Sequence, residues 1–185
     1  MLGALVAKYA LEKHMKEGAN IPVEILNVDE MDLFTAFDGV EYKRGDVTRV
    51  YEKTDLQSFT LSRFMPAEIM DFSGMAIVID PDIFALQDVS PLFEKMEKSD
   101  SAILACEKNG AWDSSLMVLR CEKLTHWKIE DLLNSLREGV ANYTDIISLK
   151  SESVEKLSRL WNNLDKLDGE TKVLHTTGRL TQPWK

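Results

Sequence analysis

The side chains of this chain best suited to chemistry are two carboxylates, Asp80 and Asp82, which lie on either side of Pro81. In an extended segment, residues two positions apart point to the same side, so both carboxylates can converge on one point. Two carboxylates this close repel each other unless a cation or a proton lies between them, and a hard divalent ion is the natural partner. The alternative is a solvated turn that carries two acidic residues, and the motif alone leaves both interpretations open.

The element that must position these carboxylates is the apolar run Met75–Ile79 directly before them. A short run without polar residues is typical of a strand that is buried on both faces of a parallel sheet. Pro81 has no N–H group to offer a central ladder, so the strand is predicted to stop there. Ligands of open α/β sheets bind at the carboxyl ends of the strands, which is where Asp80 and Asp82 fall.

Helices and strands alternate over the chain, which predicts the α/β class with a mainly parallel sheet, in a single domain spanning residues 1–185. About thirty residues after position 28 show no periodic pattern and are predicted to form a long loop. Apolar spacing of three and four predicts helices over residues 2–17, 59–64, 90–96, 129–136 and 151–161. Short apolar runs predict strands over residues 23–28, 75–79, 101–106, 116–119 and 172–175.

Composition and charge restrict the function classes. Of the 185 residues, 44% are apolar and 29% charged, as in globular proteins. The net charge of −9 repels phosphate backbones and anionic membranes, so nucleic acid is excluded as a predicted partner. No apolar run approaches the roughly 18–20 residues that span a bilayer, and the short apolar start favours an amphipathic helix over a secretion signal. A cytoplasmic location is therefore predicted, with Cys106 and Cys121 as buried thiols.

Several stretches of the chain, taken in order, resemble one enzyme family. In residues 76–93 an apolar strand is followed by Asp-x-Asp, an apolar turn and an acidic helix start. This segment resembles the Asp-x-Asp region of the glycogenin-like and bacterial lipopolysaccharide galactosyltransferases, a family-8-like group with the GT-A fold. Other family-like motifs are Ser62-Arg63-Phe64, Trp112-Asp113-Ser114-Ser115, Leu160-Trp161-Asn162, His175-Thr176-Thr177-Gly178 and Pro183-Trp184. The resemblance extends over roughly residues 58–185, and more weakly over the first predicted helix and strand.

The resemblance implies a metal site made by Asp80, Asp82 and His175. These side chains would hold a divalent ion on the diphosphate of a nucleotide sugar. An imidazole beside two carboxylates favours Mn²⁺ over Mg²⁺, although either ion is compatible with the set. The ion would stabilise the charge that develops on the departing nucleoside diphosphate. Taken alone, a histidine such as His175 is more often a surface or core residue than a metal ligand.

The resemblance also implies contacts to the nucleotide sugar. A cation would neutralise phosphate or contact the sugar, polar side chains would bind sugar hydroxyls, and a glycine would let the main chain approach the diphosphate. The residues implied are Arg63, Asp80, Asp113, Ser114, Gly178 and Arg179. Without the family, Arg63 would be interpreted as part of a surface ion pair, and Asp113 with Ser114 as part of a turn.

The sequence departs from the family pattern at three places. Asp113 and Ser115 stand where the family has Asn and Gly, and the charge of Asp113 disfavours an anionic donor. Gln182 stands where the family has a Lys before its Pro-Trp pair, and Arg179 is the nearest replacement charge. The family opens with a nucleotide-contacting strand that has no counterpart ahead of the first helix, so an N-terminal truncation is predicted.

The predicted function is transfer of a sugar from a nucleotide-diphosphate sugar, with UDP favoured by family usage, to a glycan, lipid or protein acceptor. No catalytic nucleophile or donor sugar is predicted, and self-association stays open. One alternative is a truncated or degenerate domain that binds a sugar nucleotide or a partner without turnover. Another is a phosphatase of the haloacid dehalogenase type, which also carries Asp-x-Asp after an apolar strand. That class normally has a Gly-Thr-like pair after the motif, where this chain has Ile83 and Phe84.

Overall fold

Helices and strands alternate in a computed structural model of the chain, which describes residues 2–178 and residue 182. The strands are β1 (Glu41–Arg44), β2 (Val47–Val50), β3 (Met75–Ile79), β4 (Ile83–Ala85), β5 (Ile103–Lys108), β6 (Ala111–Arg120), β7 (Val154–Lys156), β8 (Asn163–Leu164) and β9 (Val173–His175). The α-helices are α1 (Leu2–His14), α2 (Asp32–Phe37), α3 (Pro66–Ile69), α4 (Pro91–Glu97), α5 (Ile129–Arg137) and α6 (Tyr143–Ile147). Short 3₁₀ helices cover Val28–Glu30, Ser58–Phe64, Cys121–Lys123 and Arg159–Trp161.

The central sheet has the strand order β3-β6-β5-β7. Strands β3, β5 and β7 run in the same direction, as predicted for a mainly parallel sheet, but β6 lies between β3 and β5 and is antiparallel to both. The reversal follows from the turn between β5 and β6, where Asn109 and Gly110 have φ of 53° and 80°. Two consecutive positive φ values are typical of the tight turn that joins antiparallel strands. The predicted α/β class is confirmed. Among the described strands of this sheet, β5 and β7 are the neighbours that pair in parallel, and both pairings of β6 are antiparallel.

Both faces of the central sheet are covered. Successive residues of a strand point to opposite faces, and β5 and β6 accordingly supply two separate cores. Ala105 and Met117 lie in the core that includes α3, whereas Leu104, Leu116 and Val118 lie in the core that includes α4. The sheet is therefore an inner layer between helical layers, as the α/β class requires.

A third core lies beneath a two-stranded hairpin and the amphipathic helix α5. The helix buries Ile129, Leu133 and Leu136, which confirms the face predicted from their spacing. The hairpin β1–β2 falls within the stretch that was expected to be a loop, so that expectation is corrected. The side chain of Asn142 accepts from the N–H of Gly45 and donates to its carbonyl, both at 2.9 Å, which fastens the hairpin turn to the start of α6.

A small second sheet has the order β4-β9-β8. Strand β9 runs antiparallel to β4 and parallel to β8, and places His175 opposite Ile83. Because β4 begins just after Asp82, this pairing brings the C-terminal part of the chain to the Asp-x-Asp motif.

Two predicted elements differ in the structure. Residues 23–28 form no strand, and no main-chain hydrogen bond joins residues 20–26 to another described residue, so this apolar run lacks the ladder that a strand needs. Residues 151–161, predicted as a helix, contain β7 and the 3₁₀ helix Arg159–Trp161, because pairing of residues 154–156 with β5 overrides the helical spacing.

The first helix is present as predicted, but most of its larger apolar side chains are not covered. α1 buries Gly3 and Ala7, half-buries Leu11 and packs against β4, whereas its other larger apolar side chains are between 38% and 62% exposed. Those exposed residues are Leu2, Leu5, Val6 and Tyr9. Across residues 2–178, no helix has the length and apolar character needed to cross a membrane.

Candidate functional site

The predicted metal ligands lie where the central sheet and the small sheet meet. Asp80 directly follows β3, and its N–H donates to the Ser115 carbonyl at 3.0 Å, so the ladder continues one residue beyond the strand. Asp82 directly precedes β4, and His175 ends β9. Each of these three side chains offers one ligand atom, and the three atoms all lie within 4.8 Å of one another. The structure therefore brings the sequence-predicted ligand set together.

The imidazole of His175 is buried and has a different partner on each nitrogen. Nδ1 lies 2.9 Å from Oδ1 of Asn162, and Nε2 lies 3.4 Å from Oδ1 of Asp82. An amide oxygen can only accept, so Nδ1 carries the proton of the neutral ring and the lone pair of Nε2 faces Asp82. Metal-binding histidines have this arrangement, in which a hydrogen bond to one nitrogen orients the other toward the ion.

The contacts of the Asn162 side-chain NH₂ group fix the orientation of its amide. Nδ2 of this fully buried side chain lies 3.0 Å from Oγ of Ser115 and 3.4 Å from Oδ2 of Asp113. A carboxylate accepts but cannot donate, so the NH₂ group is assigned to the side of Asp113 and the oxygen to the side of His175. A buried polar network thus connects Asp113 with the imidazole.

The negative charge of the Asp113 carboxylate is balanced by an ion pair and hydrogen bonds within the protein. Nη1 of Arg159 lies 3.2 Å from its Oδ2, and Ser115 donates to its Oδ1 from the main-chain N–H at 3.1 Å and from Oγ at 2.5 Å. Burial acts to raise the pKa of Asp113, but these hydrogen bonds and the Arg159 charge outweigh it, and the pKa lies below its ordinary value. The negative charge that the sequence places beside the site therefore has its own counterion.

The guanidinium of Arg63 contacts both carboxylate oxygens of Asp80. Its Nε donates to Oδ1 at 2.7 Å, its Nη2 forms an ion pair with Oδ2, and its Nη1 donates to Oγ of Ser114 at 2.9 Å. Burial raises the pKa of the Asp80 carboxyl to about 6; the charge and the hydrogen bonds of Arg63 act to lower this pKa, and the charge of Asp82 acts to raise it. Three residues that the sequence assigned to donor binding, Arg63, Asp80 and Ser114, therefore form one contiguous group.

Two glycosyltransferases of known structure share this architecture. The galactosyltransferase LgtC, in complex with donor and acceptor sugar analogs, matches with a TM-score of 0.56 at 14% identity, over 100% of this chain and 74% of LgtC. GlyE from Streptococcus pneumoniae TIGR4 matches with a TM-score of 0.53 at 16% identity, over 68% of this chain and 38% of GlyE. The chain has the GT-A glycosyltransferase fold. No protein-family model and no curated protein matches its sequence.

The donor set of this glycosyltransferase fold is chemically suited to a divalent ion. Two carboxylates and a neutral imidazole favour an ion of the Mn²⁺ type, and the carboxylates alone also suit Mg²⁺. Each carboxylate oxygen has two lone pairs, so the ion pair with Arg63 leaves acceptor capacity on Asp80. The Asp82 side chain is 24% exposed, whereas that of His175 is 8% exposed, so the cluster opens toward solvent on the Asp82 side.

The segment after β9 supplies further contacts to the cluster. Nε2 of Gln182 lies 3.3 Å from Oδ2 of Asp82 and 3.1 Å from the carbonyl of Thr176, so the residue that replaces the family's Lys touches a predicted ligand. Gly178 donates its N–H to Oδ1 of Asp165 at 3.1 Å. Arg179, Pro183 and Trp184 lie outside the described residues.

The residues that hold the ligands in place were not predicted from the sequence. Asn162 was noticed as half of a Trp-Asn pair, without a role, and Arg159 and Asp165 were not singled out. Their partners come from β6, from the end of β9 and from the residues after β9, and three of these contacts span between 13 and 46 positions. Spacing along the chain contains no signal for such contacts, because the pairing of β8 with β9 and the meeting of the two sheets create them.

Proposed function

We propose that this chain is a metal-dependent glycosyltransferase domain that binds a nucleotide-diphosphate sugar, with UDP as the nucleotide, and transfers the sugar to a glycan, lipid or protein acceptor. The observation that carries the proposal is the Asp80, Asp82 and His175 cluster, whose ligand atoms lie within 4.8 Å of one another in a GT-A fold. LgtC, which shares that fold, has been solved with donor and acceptor sugar analogs.

In this proposal, the cluster holds Mn²⁺ or Mg²⁺. Such an ion, when bound, supplies positive charge that stabilises a departing nucleoside diphosphate. The protein's own contribution is orientation: Asn162 holds the Nδ1 proton of His175, which leaves Nε2 directed at Asp82. The aligned lone pair and the two carboxylates together form a pre-organised oxygen and nitrogen ligand set.

The donor would lie against the group formed by Arg63, Asp80 and Ser114. Arg63 has a side chain 13% exposed and a planar guanidinium, which is suited to phosphate or sugar oxygens. Ser114 offers a hydroxyl for a sugar, and Asp113 is proposed to contact the donor with its charge compensated by Arg159. Gly178 and Arg179 are proposed to contact the diphosphate of the donor.

The net charge of −9 argues against nucleic acid as a substrate or partner, because phosphate backbones would be repelled. A cytoplasmic location stays a prediction from the sequence, and self-association stays open.

The test is binding of UDP in the presence and absence of Mn²⁺, measured by calorimetry and by thermal unfolding. A ligand at about 100 times its dissociation constant adds about 2.7 kcal/mol of stability, which a thermal shift detects. Asp82→Ala should abolish the Mn²⁺-dependent part and leave the fold intact, because the carboxylate lies at a strand end and its loss relieves repulsion with Asp80. Asp100→Ala is the matched control, since Asp100 is exposed. Unchanged Mn²⁺ affinity in Asp82→Ala would refute the metal site.

A second candidate is a domain that binds the sugar nucleotide without turnover. The observation in its favour is the ionised Asp113 carboxylate, which places a negative charge beside the site where the family has Asn. The chain spans 38% of GlyE and 74% of LgtC. Incubation with UDP-sugars, Mn²⁺ and simple acceptors separates the two, because a transferase or donor hydrolase releases UDP and a binding domain does not. A phosphatase would instead cleave simple phosphomonoesters.

A further inference from the structure

Asp165 lies directly after β8 and next to the end of β9. Its main-chain N–H donates to the carbonyl of His175 at 2.9 Å, which extends the parallel pairing of the two strands by one residue. Its φ is 51°, a left-handed conformation that Asp and Asn tolerate better than other residues with a side chain. The residue is exposed, and its backbone points the side chain toward the segment that follows His175.

The Asp165 carboxylate binds two successive main-chain N–H groups. Its Oδ1 accepts from the N–H of Thr177 at 2.8 Å and from the N–H of Gly178 at 3.1 Å, and its Oδ2 accepts from the Thr177 hydroxyl. Hydrogen bonding from Thr177 lowers the pKa of Asp165, so the carboxylate is an anion at neutral pH. An ordinary exposed aspartate in a turn would be solvated rather than shared among three donors.

The same segment is attached to the metal cluster on its other side. The N–H and the hydroxyl of Thr176 both donate to the carbonyl of Asp82, at 3.0 and 3.1 Å. The three residues after His175 are therefore held between two acidic residues, by the main chain of Asp82 and by the side chain of Asp165. Removing the Asp165 side chain would remove its hydrogen bonds to Thr177 and Gly178, while Thr176, His175 and Asp82 kept their contacts.

We infer that Asp165 is a positioning residue for the nucleotide: it fixes the conformation of Thr177 and Gly178 beside the metal cluster, and it acts through them. The inference rests on the proposed function, because it assigns the diphosphate to this segment. Divalent-ion binding by the Asp80, Asp82 and His175 set does not require the Asp165 side chain, since His175 is held by β9 and by Asn162. Nucleotide binding does require it.

The experiment compares Asp165→Gly, Asp165→Asn and Asp71→Gly in the full chain. Glycine removes the carboxylate and accepts the positive φ, so the backbone is not strained. Asparagine keeps an acceptor oxygen for the two N–H groups and tolerates the same φ. Asp71 is the matched control: it is exposed and has a φ of 50°.

Three quantities are measured: the affinity for Mn²⁺ alone, the affinity for UDP at saturating Mn²⁺, and the amide hydrogen exchange of Thr177 and Gly178 without ligand. Asp165→Gly is expected to weaken UDP binding by about tenfold or more, with Mn²⁺ affinity within about twofold, and to accelerate exchange at both amides. Asp165→Asn is expected to restore most of the UDP affinity, and Asp71→Gly to match the unaltered chain.

Two results would overturn the positioning role alone: UDP affinity unchanged in Asp165→Gly, or an equal loss of UDP and Mn²⁺ affinity, which would indicate general damage. Failure of the unaltered chain to bind UDP with Mn²⁺ would instead overturn the proposed function and the positioning role with it. The amide exchange separates these cases further, because it reports on the segment whether or not a nucleotide binds.

Discussion

Arg63 and Asp80 form a buried, two-pronged ion pair in which both oxygens of the first motif carboxylate are contacted by the guanidinium. The side chains are 13% and 7% exposed, so neither charge is well solvated. Because of this ion pair, Asp80 contributes to the stability of the fold as well as to the candidate metal site. Its contribution to stability and its contribution to Mn²⁺ binding can be measured separately.

Arg63→Met should destabilise the chain, because it leaves the Asp80 carboxylate buried without its counterion. Loss of one partner of a buried pair costs about 3–5 kcal/mol. The cost should be smaller at about pH 5 than at about pH 8, since Asp80 can take up a proton and become neutral. Urea unfolding at both pH values measures this. An Arg63→Met, Asp80→Asn double variant should recover part of the loss at about pH 8, and an equal cost at both pH values would contradict the interpretation.

Mn²⁺ affinity should decrease as the pH falls through about 6, the pKa to which burial raises the Asp80 carboxyl. Below that pH a proton occupies the carboxylate, and a metal ion must displace it, so the affinity should fall by about tenfold per pH unit for one competing proton. Above it the carboxylate is ionised and this dependence should level off. Calorimetric titrations with Mn²⁺ at several pH values test the expectation, and a flat profile between about pH 5 and 7 would contradict it.

Asn162→Leu should weaken Mn²⁺ binding although Asn162 is not itself a predicted ligand. The variant removes the acceptor of the His175 Nδ1 proton, and loss of such a supporting contact typically costs about 10–100-fold in metal affinity. Leucine has a similar volume, so the buried site stays filled. Asn134→Leu, on the half-exposed side of α5, is the control and should bind Mn²⁺ normally. Normal Mn²⁺ affinity in a folded Asn162→Leu variant would show that His175 does not need this contact.

Gly110→Ala should destabilise the β5–β6 hairpin by backbone strain alone. Gly110 has a φ of 80°, and a Cβ placed there would meet nothing within 4 Å. The variant should therefore lose about 1–2 kcal/mol of unfolding free energy, which is the cost of holding a residue with a Cβ at positive φ. Gly169→Ala is the matched control, because that site is equally open without a positive φ. Equal unfolding free energies for the two variants, measured in urea, would refute this account of the turn.

The sequence by itself determined the strand Met75–Ile79, the two carboxylates at its end and the amphipathic face of α5. These features depend on local patterns: an uninterrupted apolar run, a proline that ends a ladder, and apolar residues three and four apart. The motif order added His175 to the carboxylates and the GT-A fold to the α/β class. Asn109-Gly110 is also a local signal, and it was available in the sequence to predict the reversal of β6.

Other features were decided by tertiary structure. Residues 23–28 have the composition of a strand, but no strand among the described residues pairs with them. Residues 154–156 lie in a stretch with helical spacing, yet they form a strand that pairs with β5. Pairing depends on what lies beside a segment, which no window of sequence contains.

The contacts that orient the site also come from tertiary structure. Asn162 faces His175 because Asp113 orients its amide, and Asp165 holds Gly178 because β8 and β9 are adjacent. The sequence named the groups that could bind an ion, while the meeting of two sheets set the distances between them. Ligand types are a property of individual residues, whereas the direction of a lone pair depends on hydrogen bonds between separate segments that only the fold brings together.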